Sequence, residues 1–314
     1  MLQTRQLLSI VVPIFNEEAC LPETLRRLSQ FRTSIAERVD VEFLFVDDGS
    51  KDNSLDLLKQ AASTDKSVKI LSFSRNFGHQ MAITAGIDSA RGDYVAVIDG
   101  DLQDPPELIE KMYDLALTGY DVVYGKRKSR SGETIFKKAT AAAFYRLFSY
   151  LCEMEIPTDT GDFRLMSRRV VDAFGRMRER HRFVRGMVPW VGFRTVALEY
   201  DREERFAGET KYPLRKMISF AMNAIFSFSK KPLTLAIRLG ALTTLCGLLF
   251  GAYMLYMKLF TNIPVPGITA IILTIVLIGG VQIFLIGIVG EYIARIFEEV
   301  KGRPLYLVLE TVNL

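Results

Sequence analysis

Asp99, Asp101 and Gln103 alternate within DGDLQDPP (99–106), directly after the apolar run Tyr94–Ile98. In an extended chain, residues two apart point the same way. The spacing can therefore gather carboxylate and amide oxygens around one hard cation, Mg2+ or Mn2+. A cation held by one or two protein carboxylates fills its remaining positions with water and substrate phosphates. Such an ion would neutralise a diphosphate leaving group as a Lewis acid. The alternative is a solvated acidic turn, with Pro105 and Pro106 opening the next helix.

Other polar groups can join this chemistry. Asp47 and Asp48, in DDGS, either close a strand with ordinary turn and cap chemistry or hydrogen-bond a ribose or base edge. Arg127 and Arg130, in GKRKSR, can bind phosphate or form a solvated charged face. Asp159 and Asp162 bracket Thr160-Gly161 in TDTGDFR, which reads as a polar turn. Either could be a general base or steer an acceptor, and a helix cap is the plainer role. Arg205 and Lys211 flank the Gly-containing loop REERFAGETK and could clamp an anionic lipid headgroup. The only histidines are His79 and His181, no Ser-His-Asp or Cys-His arrangement is supported, and no GxxxxGK[ST] string occurs.

These motifs need a scaffold that brings them together. Leu8–Phe15, Val41–Val46, Val68–Phe73 and Tyr94–Ile98 read as buried strands. Leu21–Ala36, Asn53–Ala62, Gln80–Ala90 and Pro106–Leu117 read as the helices between them. This β-α-β-α alternation predicts an α/β fold with a mostly parallel, doubly covered sheet. Ligands of such sheets bind beyond the carboxyl ends of the strands. Asn16-Glu17-Glu18, the DDGS turn, Ser74-Arg75-Asn76-Phe77-Gly78 and the DGDLQD turn all fall there. Tyr120–Tyr124 and Thr195–Tyr200 read as further strands, and Ile135–Leu151 as a helix.

Composition divides the 314 residues. Leu239–Met257 and Ile263–Val289 carry no charge over 19 and 27 residues. At about 1.5 Å per residue each can cross a hydrocarbon core of roughly 30 Å. Lys230, Lys231 and Arg238 precede the first stretch, and Arg295, Lys301 and Arg303 follow the second. The positive-inside rule predicts a multi-pass protein of the inner or plasma membrane with its N-terminal domain and C-terminus in the cytoplasm. The expected division is a domain over 1–211, an amphipathic juxtamembrane helix over 212–232, two spans over 233–296 and a tail over 297–314. A net charge of +4 is too small to argue for nucleic acid. Three cysteines without metal or disulfide spacing fit a reducing compartment.

With these residues assembled, the chain resembles the membrane-bound polyprenyl-phosphate glycosyltransferases. These form an inverting family that includes dolichol-phosphate mannose synthases and bacterial undecaprenyl-phosphate glucosyltransferases. The matching stretches include VVPIFNEE (11–18), VDDGSKDNS (46–54), SRNFGHQMAITAGID (74–88), DGDLQDPPE (99–107), TGDFRLM (160–166), RGMVPWVGF (185–193), FAGETKYP (206–213) and GEYIARIFEEVKGRPLY (290–306). The resemblance implies a GT-A nucleotide-sugar fold with Pro13, Phe15 and Glu17 lining the nucleotide pocket. It implies Asp48 at the base or ribose, Asn76 in a matching strand-end stretch, and Asp99, Asp101 and Gln103 at the metal and diphosphate. It implies Arg127 on a phosphate; Arg205, Lys211 and Arg130 are the candidates for the acceptor phosphate by their charge and place in the sequence. The glucosyl branch fits best, which points to UDP-glucose, undecaprenyl phosphate and Mg2+ or Mn2+, and relatives suggest a homo-oligomer, a tetramer. At the position of Asp162 the mannosyl branch often carries a small residue.

Two other readings compete. A processive polysaccharide synthase would share the strand-end motifs, but no QxxRW string is present and two spans are few for a polymer channel. A membrane-anchored, response-regulator-like module would use the acidic pair but leave DGDLQD and FAGETKYP without a role.

Overall fold

A computed structural model describes residues 5–128, 160–201, 225–226, 229–260 and 267–314. Asp159, Arg130, Arg205 and Lys211, the expected helix Ile135–Leu151 and most of the expected juxtamembrane helix lie outside the described residues.

The apolar runs form strands β1 (Leu7–Ile14), β2 (Asp40–Asp47), β3 (Val68–Phe73) and β4 (Tyr94–Val97). Helices α1 (Leu21–Ile35), α2 (Ser54–Thr64), α3 (His79–Ser89) and α4 (Leu108–Leu117) connect or follow them. The first helix shows why. Proline opens it, Glu23 lies in its first turn, and Leu21, Thr24, Leu28, Phe31 and Ile35 recur at three- and four-residue spacing on its buried face. The chain continues through β5 (Val122–Arg127), β6 (Thr160–Ser167), α5 (Arg168–Arg176), α6 (Val184–Trp190) and β7 (Thr195–Tyr200). It ends with α7 (Lys231–Phe260), α8 (Gly267–Val300) and β8 (Val308–Val312).

One eight-stranded sheet has the order β7-β5-β6-β4-β1-β2-β3-β8. β1 pairs in parallel with both β2 and β4, and β2 with β3. The strand order reverses at β1, so the crevice beyond the carboxyl ends of β1 and β4 is where this architecture binds ligands. Strands β1 and β2 are buried on both faces, as helix-covered parallel strands require.

Two expectations are corrected. TDTGDFR is not a polar turn: Thr160 starts β6, which runs antiparallel between β4 and β5 and is buried at six consecutive residues. Its Asp162 and Arg164 are tolerated there because each is met by opposite charge or carbonyl oxygens. The chain end is not a separate tail either. β8 pairs antiparallel with β3 and closes an edge that would otherwise present unpaired backbone groups.

α7 has 30 residues and α8 has 34, so they are about 45 and 50 Å long. They run as a hairpin: Tyr292 Oη donates to the Ser229 carbonyl at 2.7 Å, and Gly240 lies beside Leu285. Their apolar side chains face outward, with Leu248, Ile275, Ile283 and Ile286 each more than 60% exposed. Buried helices of a soluble core would hide these side chains, whereas a bilayer covers them. The chain associates with a membrane through this hairpin.

Candidate active site

Four strand ends build the site. At the end of β1, Pro13 is buried in the sheet opposite Val46, and Phe15 emerges beyond it, 43% exposed. Asn16 takes φ +54, and the turn is stitched to the β2–α2 loop. Asn16 N–H donates to Ser50 Oγ, Glu17 N–H to Ser54 Oγ and Glu18 N–H to Asp52 Oδ2, at 2.9 to 3.1 Å. Glu17 is thereby held by its backbone at the rim.

At the end of β2, Asp47 accepts from Ser50 N–H and the Ser72 hydroxyl. Asp48 is buried, and its two oxygens accept from Phe77 N–H (2.6 Å), Gly78 N–H and Asn76 Nδ2 (2.9 Å). Burial raises its pKa, against the lowering pull of the Phe77 and Gly78 amides. Asp48 thus clamps the loop after β3, and Asn76 is one of its donors. Contact with a base would require one of these bonds to be exchanged. Gly49 follows with φ +67, and a Cβ there would lie 2.6 Å from the Arg75 carbonyl carbon. Only glycine lets the two loops approach this closely.

After β4 the DGDLQD turn is fixed from beneath. Thr24 Oγ1 donates to the Gly100 carbonyl at 2.9 Å, and a Cβ on Gly100 would strike Ile14. Gln103 N–H donates to Asp101 Oδ1 at 3.1 Å. Leu102, between them, is buried with φ +59, a conformation costing about 1–3 kcal/mol for a non-glycine residue. Asp99 Oδ1 is shielded from solvent and has no hydrogen-bond partner. Burial, with Asp162, Asp104 and Asp101 nearby, pushes the Asp99 carboxyl up to about 6 against the opposing charge of His79. A carboxylate oxygen without a hydrogen-bond partner on Asp99, with the buried carboxylate of Asp101 two residues on, is a donor set that suits a divalent cation. Among the described residues no three His, Cys, Asp or Glu side chains gather as a complete cage, so such an ion would draw further ligands from substrate or water.

Asp162, on β6, faces this turn from the other side and is 1% exposed. Arg185 on α6 holds it with two bonds, Nε to Oδ1 at 3.1 Å and Nη2 to Oδ2 at 2.9 Å. His79 Nε2 lies 3.3 Å from the same Oδ2 and 3.5 Å from Asp99 Oδ1. Gln80 Nε2 donates to Asp162 at 3.4 Å, while its Oε1 accepts Val184 N–H at 2.9 Å. Buried Arg164 donates to the carbonyls of Gly161, Asp162 and Val184. Burial alone would raise the Asp162 pKa, but Arg185 and His79 overcome it and hold the carboxyl well below the usual carboxylate range. Burial pulls the His79 pKa down, but Asp162 and Asp99 outweigh it and push the imidazole up to about 9.

Asp162 is expected as a general base or as a group that steers the acceptor, and its ion pairs bear on the first of these. A carboxylate fixed in an ion pair and strongly stabilised in its charged form is a poor proton acceptor. Its geometry makes it an anchor for Arg185 and His79. Sequence reasoning missed His79, Gln80, Arg164 and Arg185. Only the rarity of histidine and its place beyond the third strand could have marked His79. Arg127 ends β5 opposite Tyr200, and its Nη2 would lie 3.0 Å from a Cβ on Gly161. Its buried Nε has no hydrogen-bond partner, so one donor of the guanidinium awaits an acceptor.

Residues 9–175 match the model of glycosyl transferase family 2, and residues 231–296 match the GtrB C-terminal hairpin. The chain belongs to glycosyl transferase family 2. It is a glycosyltransferase with a GT-A-like fold. It is 51% identical to the uncharacterized glycosyltransferase YkcC of Bacillus subtilis (strain 168), over 98% of this chain and 94% of that protein. It is 40% identical to the SfII prophage-derived bactoprenol glucosyl transferase of Shigella flexneri, over 96% of this chain and 97% of that protein. Among solved structures it is similar to mannosyl-3-phosphoglycerate synthase from Rubrobacter xylanophilus, at 17% identity and a TM-score of 0.47, covering 70% of this chain and 72% of that one.

Proposed function

We propose that this chain moves one glucose from UDP-glucose to the phosphate of a polyprenyl lipid, with inversion, at the cytoplasmic membrane face, using Mg2+ or Mn2+. The observation that carries this reading is the 40% identity to a bactoprenol glucosyl transferase, which extends through both the site and the hairpin. Asp99 and Asp101, with Gln103 on the same turn, would hold the ion, which supplies charge neutralisation for the departing diphosphate. Pro13, Phe15 and Glu17 would border the nucleotide at the end of β1. Arg127, with its unpartnered Nε, would take a phosphate oxygen.

In this reaction an acceptor phosphate oxygen attacks the anomeric carbon as the bond to UDP breaks. A phosphate monoester has its second pKa near 6, so the acceptor is already largely dianionic at pH 7. It needs orientation and charge stabilisation rather than a base. That agrees with an Asp162 committed to Arg185 and His79. Lys211, Arg205 and Arg130 would orient the acceptor near headgroup level.

Two observations support this orientation of the hairpin. The basic residues Lys230, Lys231, Arg295, Lys301 and Arg303 flank its open end. β8 returns to the sheet that contains β1, which supports a hairpin with both ends on one side of the membrane. The test is a donor panel: purified protein with polyprenyl phosphate, Mg2+ or Mn2+ and each of several nucleotide sugars, scoring label in the lipid extract. UDP-glucose should label the lipid most strongly. A stronger signal from another donor, or none, would overturn the assignment.

A further inference from the structure

The end of α8 does more than leave the membrane. Glu299 Oε1 accepts Arg180 N–H at 2.6 Å, and Glu298 Oε2 lies 2.9 Å from His181 Nε2. Arg180 Nη1 in turn donates to the Arg303 carbonyl at 3.2 Å. Three residues after His181, the Val184 N–H is bound to Gln80 and its carbonyl to Arg164. Arg185 comes next and grips Asp162, which touches His79 beside Asp99. A short path of hydrogen bonds, ion pairs and backbone therefore joins the membrane helix to the transfer site.

The segment after α8 grips the other end of the same unit. The Tyr306 ring stacks on Phe73 at 5.1 Å, and its hydroxyl donates to Asp88, in the last turn of α3, at 3.2 Å. Arg178 holds the same carboxylate at 2.8 Å. Ser74 N–H donates to the Leu307 carbonyl, β8 pairs with β3, and Asn313 Nδ2 donates to the carbonyls of Ala62 and Val68. The chain from Glu298 to Asn313 thus contacts α2, β3, α3 and the approach to α6. Helix α3 begins at His79, so both elements that hold the Asp162 cluster are gripped from the α8 side.

We propose that Glu298 and Glu299 are positioning residues: through Arg180, His181 and α6 they fix the height and orientation of the transfer site above the bilayer, where the lipid acceptor must meet it. The inference rests on the membrane-lipid acceptor of the function proposed above. A lipid-anchored phosphate cannot follow a wandering site, because each CH2 it withdraws from the bilayer costs about 0.8 kcal/mol. A site tethered only by flexible chain would sample many heights. A small misplacement of reacting groups can cost as much as about 100-fold in rate.

The test compares the full chain, reconstituted in lipid nanodiscs, with Glu298→Ala/Glu299→Ala and Glu298→Gln/Glu299→Gln. Glutamine keeps an acceptor for the Arg180 N–H and serves as the conservative rescue. The alanine pair should raise the apparent KM for long-chain polyprenyl phosphate about tenfold. Turnover on a short-chain, water-soluble prenyl phosphate and affinity for UDP with Mn2+ should stay within about twofold, and the glutamine pair should behave nearly as wild type. A second readout needs no sugar chemistry. Trp190, at the end of α6, is the only tryptophan of the chain and is 63% exposed. Time-resolved energy transfer from Trp190 to a dansyl lipid should be narrowly distributed in wild type and spread in the alanine pair. Failure of wild type to use UDP-glucose would refute the proposed donor while leaving this readout intact. Unchanged transfer in the alanine pair, or equal losses on long and short acceptors, would overturn the positioning role.

Discussion

Replacing Asp162 by Asn separates an anchor from a base. In wild type the carboxylate carries two charge-assisted bonds from Arg185, at 3.1 and 2.9 Å, with His79 at 3.3 Å and Arg164 Nη2 at 3.9 Å. Asn removes the negative charge that Arg185 and Arg164 face. Breaking a buried ion pair from one side costs about 3–5 kcal/mol, and partial exposure of Arg185 trims this to about 2–4 kcal/mol. For a domain of this size, about 1 kcal/mol moves Tm by roughly 2–4 °C, so a fall of about 5–15 °C is expected. Arg185→Ala should produce a fall of the same order, and the double variant should lose much less than the sum. The Asp162 pKa is depressed in the folded protein, so its contribution is fully present above the unfolded value near 4 and is lost as pH falls below it. The assay is thermal unfolding of all three variants in one detergent, with turnover of the folded protein well below each Tm. An anchor predicts comparable turnover losses for the Asp162 and Arg185 variants, with the acidic limb of the rate profile still set by the acceptor phosphate near pH 6. An Asp162→Asn protein with wild-type Tm and turnover reduced by about 100-fold or more would refute the argument and restore the base.

Three further outcomes follow from the same geometry. Asp101→Asn should keep the wild-type fold by circular dichroism and weaken Mn2+ binding, measured by calorimetry with UDP present, by about tenfold or more, since one of the two candidate carboxylate ligands is lost; unchanged binding would place the ion elsewhere. Gly49→Ala should cost about 1–3 kcal/mol in chemical denaturation, because its φ of +67 and the 2.6 Å approach to Arg75 leave no space for Cβ. Truncation after Leu307 should expose the edge of β3 and produce concentration-dependent aggregation on size-exclusion chromatography.

Much of the fold was legible because the first half obeys simple periodicities. Apolar runs alternate with amphipathic helices, and the four leading strands and helices lie within two residues of their expected bounds. The site carboxylates were legible for the same reason: Asp48, Asp99 and Asp101 all stand at strand ends. β6 was not, because Asp162 and Arg164 mask its periodicity, and their neutralisation depends on Arg185, whose approach is set by tertiary packing. The Asp162 cluster was hidden too, since His79, Asp162 and Arg185 are more than 20 residues apart in sequence. β8 follows a charged, Gly-Pro-containing stretch, and only the free edge of β3 explains why five residues there become a strand.

The proposed reaction transfers a single glucose to a lipid phosphate. The most direct measurement is the structure of the product formed from UDP-glucose and polyprenyl phosphate by the purified protein, using mass spectrometry and NMR of the anomeric centre. The expected product is a lipid carrying one phosphate and one hexose, with anomeric configuration opposite to that of the donor. A lipid diphosphate, more than one sugar per lipid, or retained configuration would contradict it.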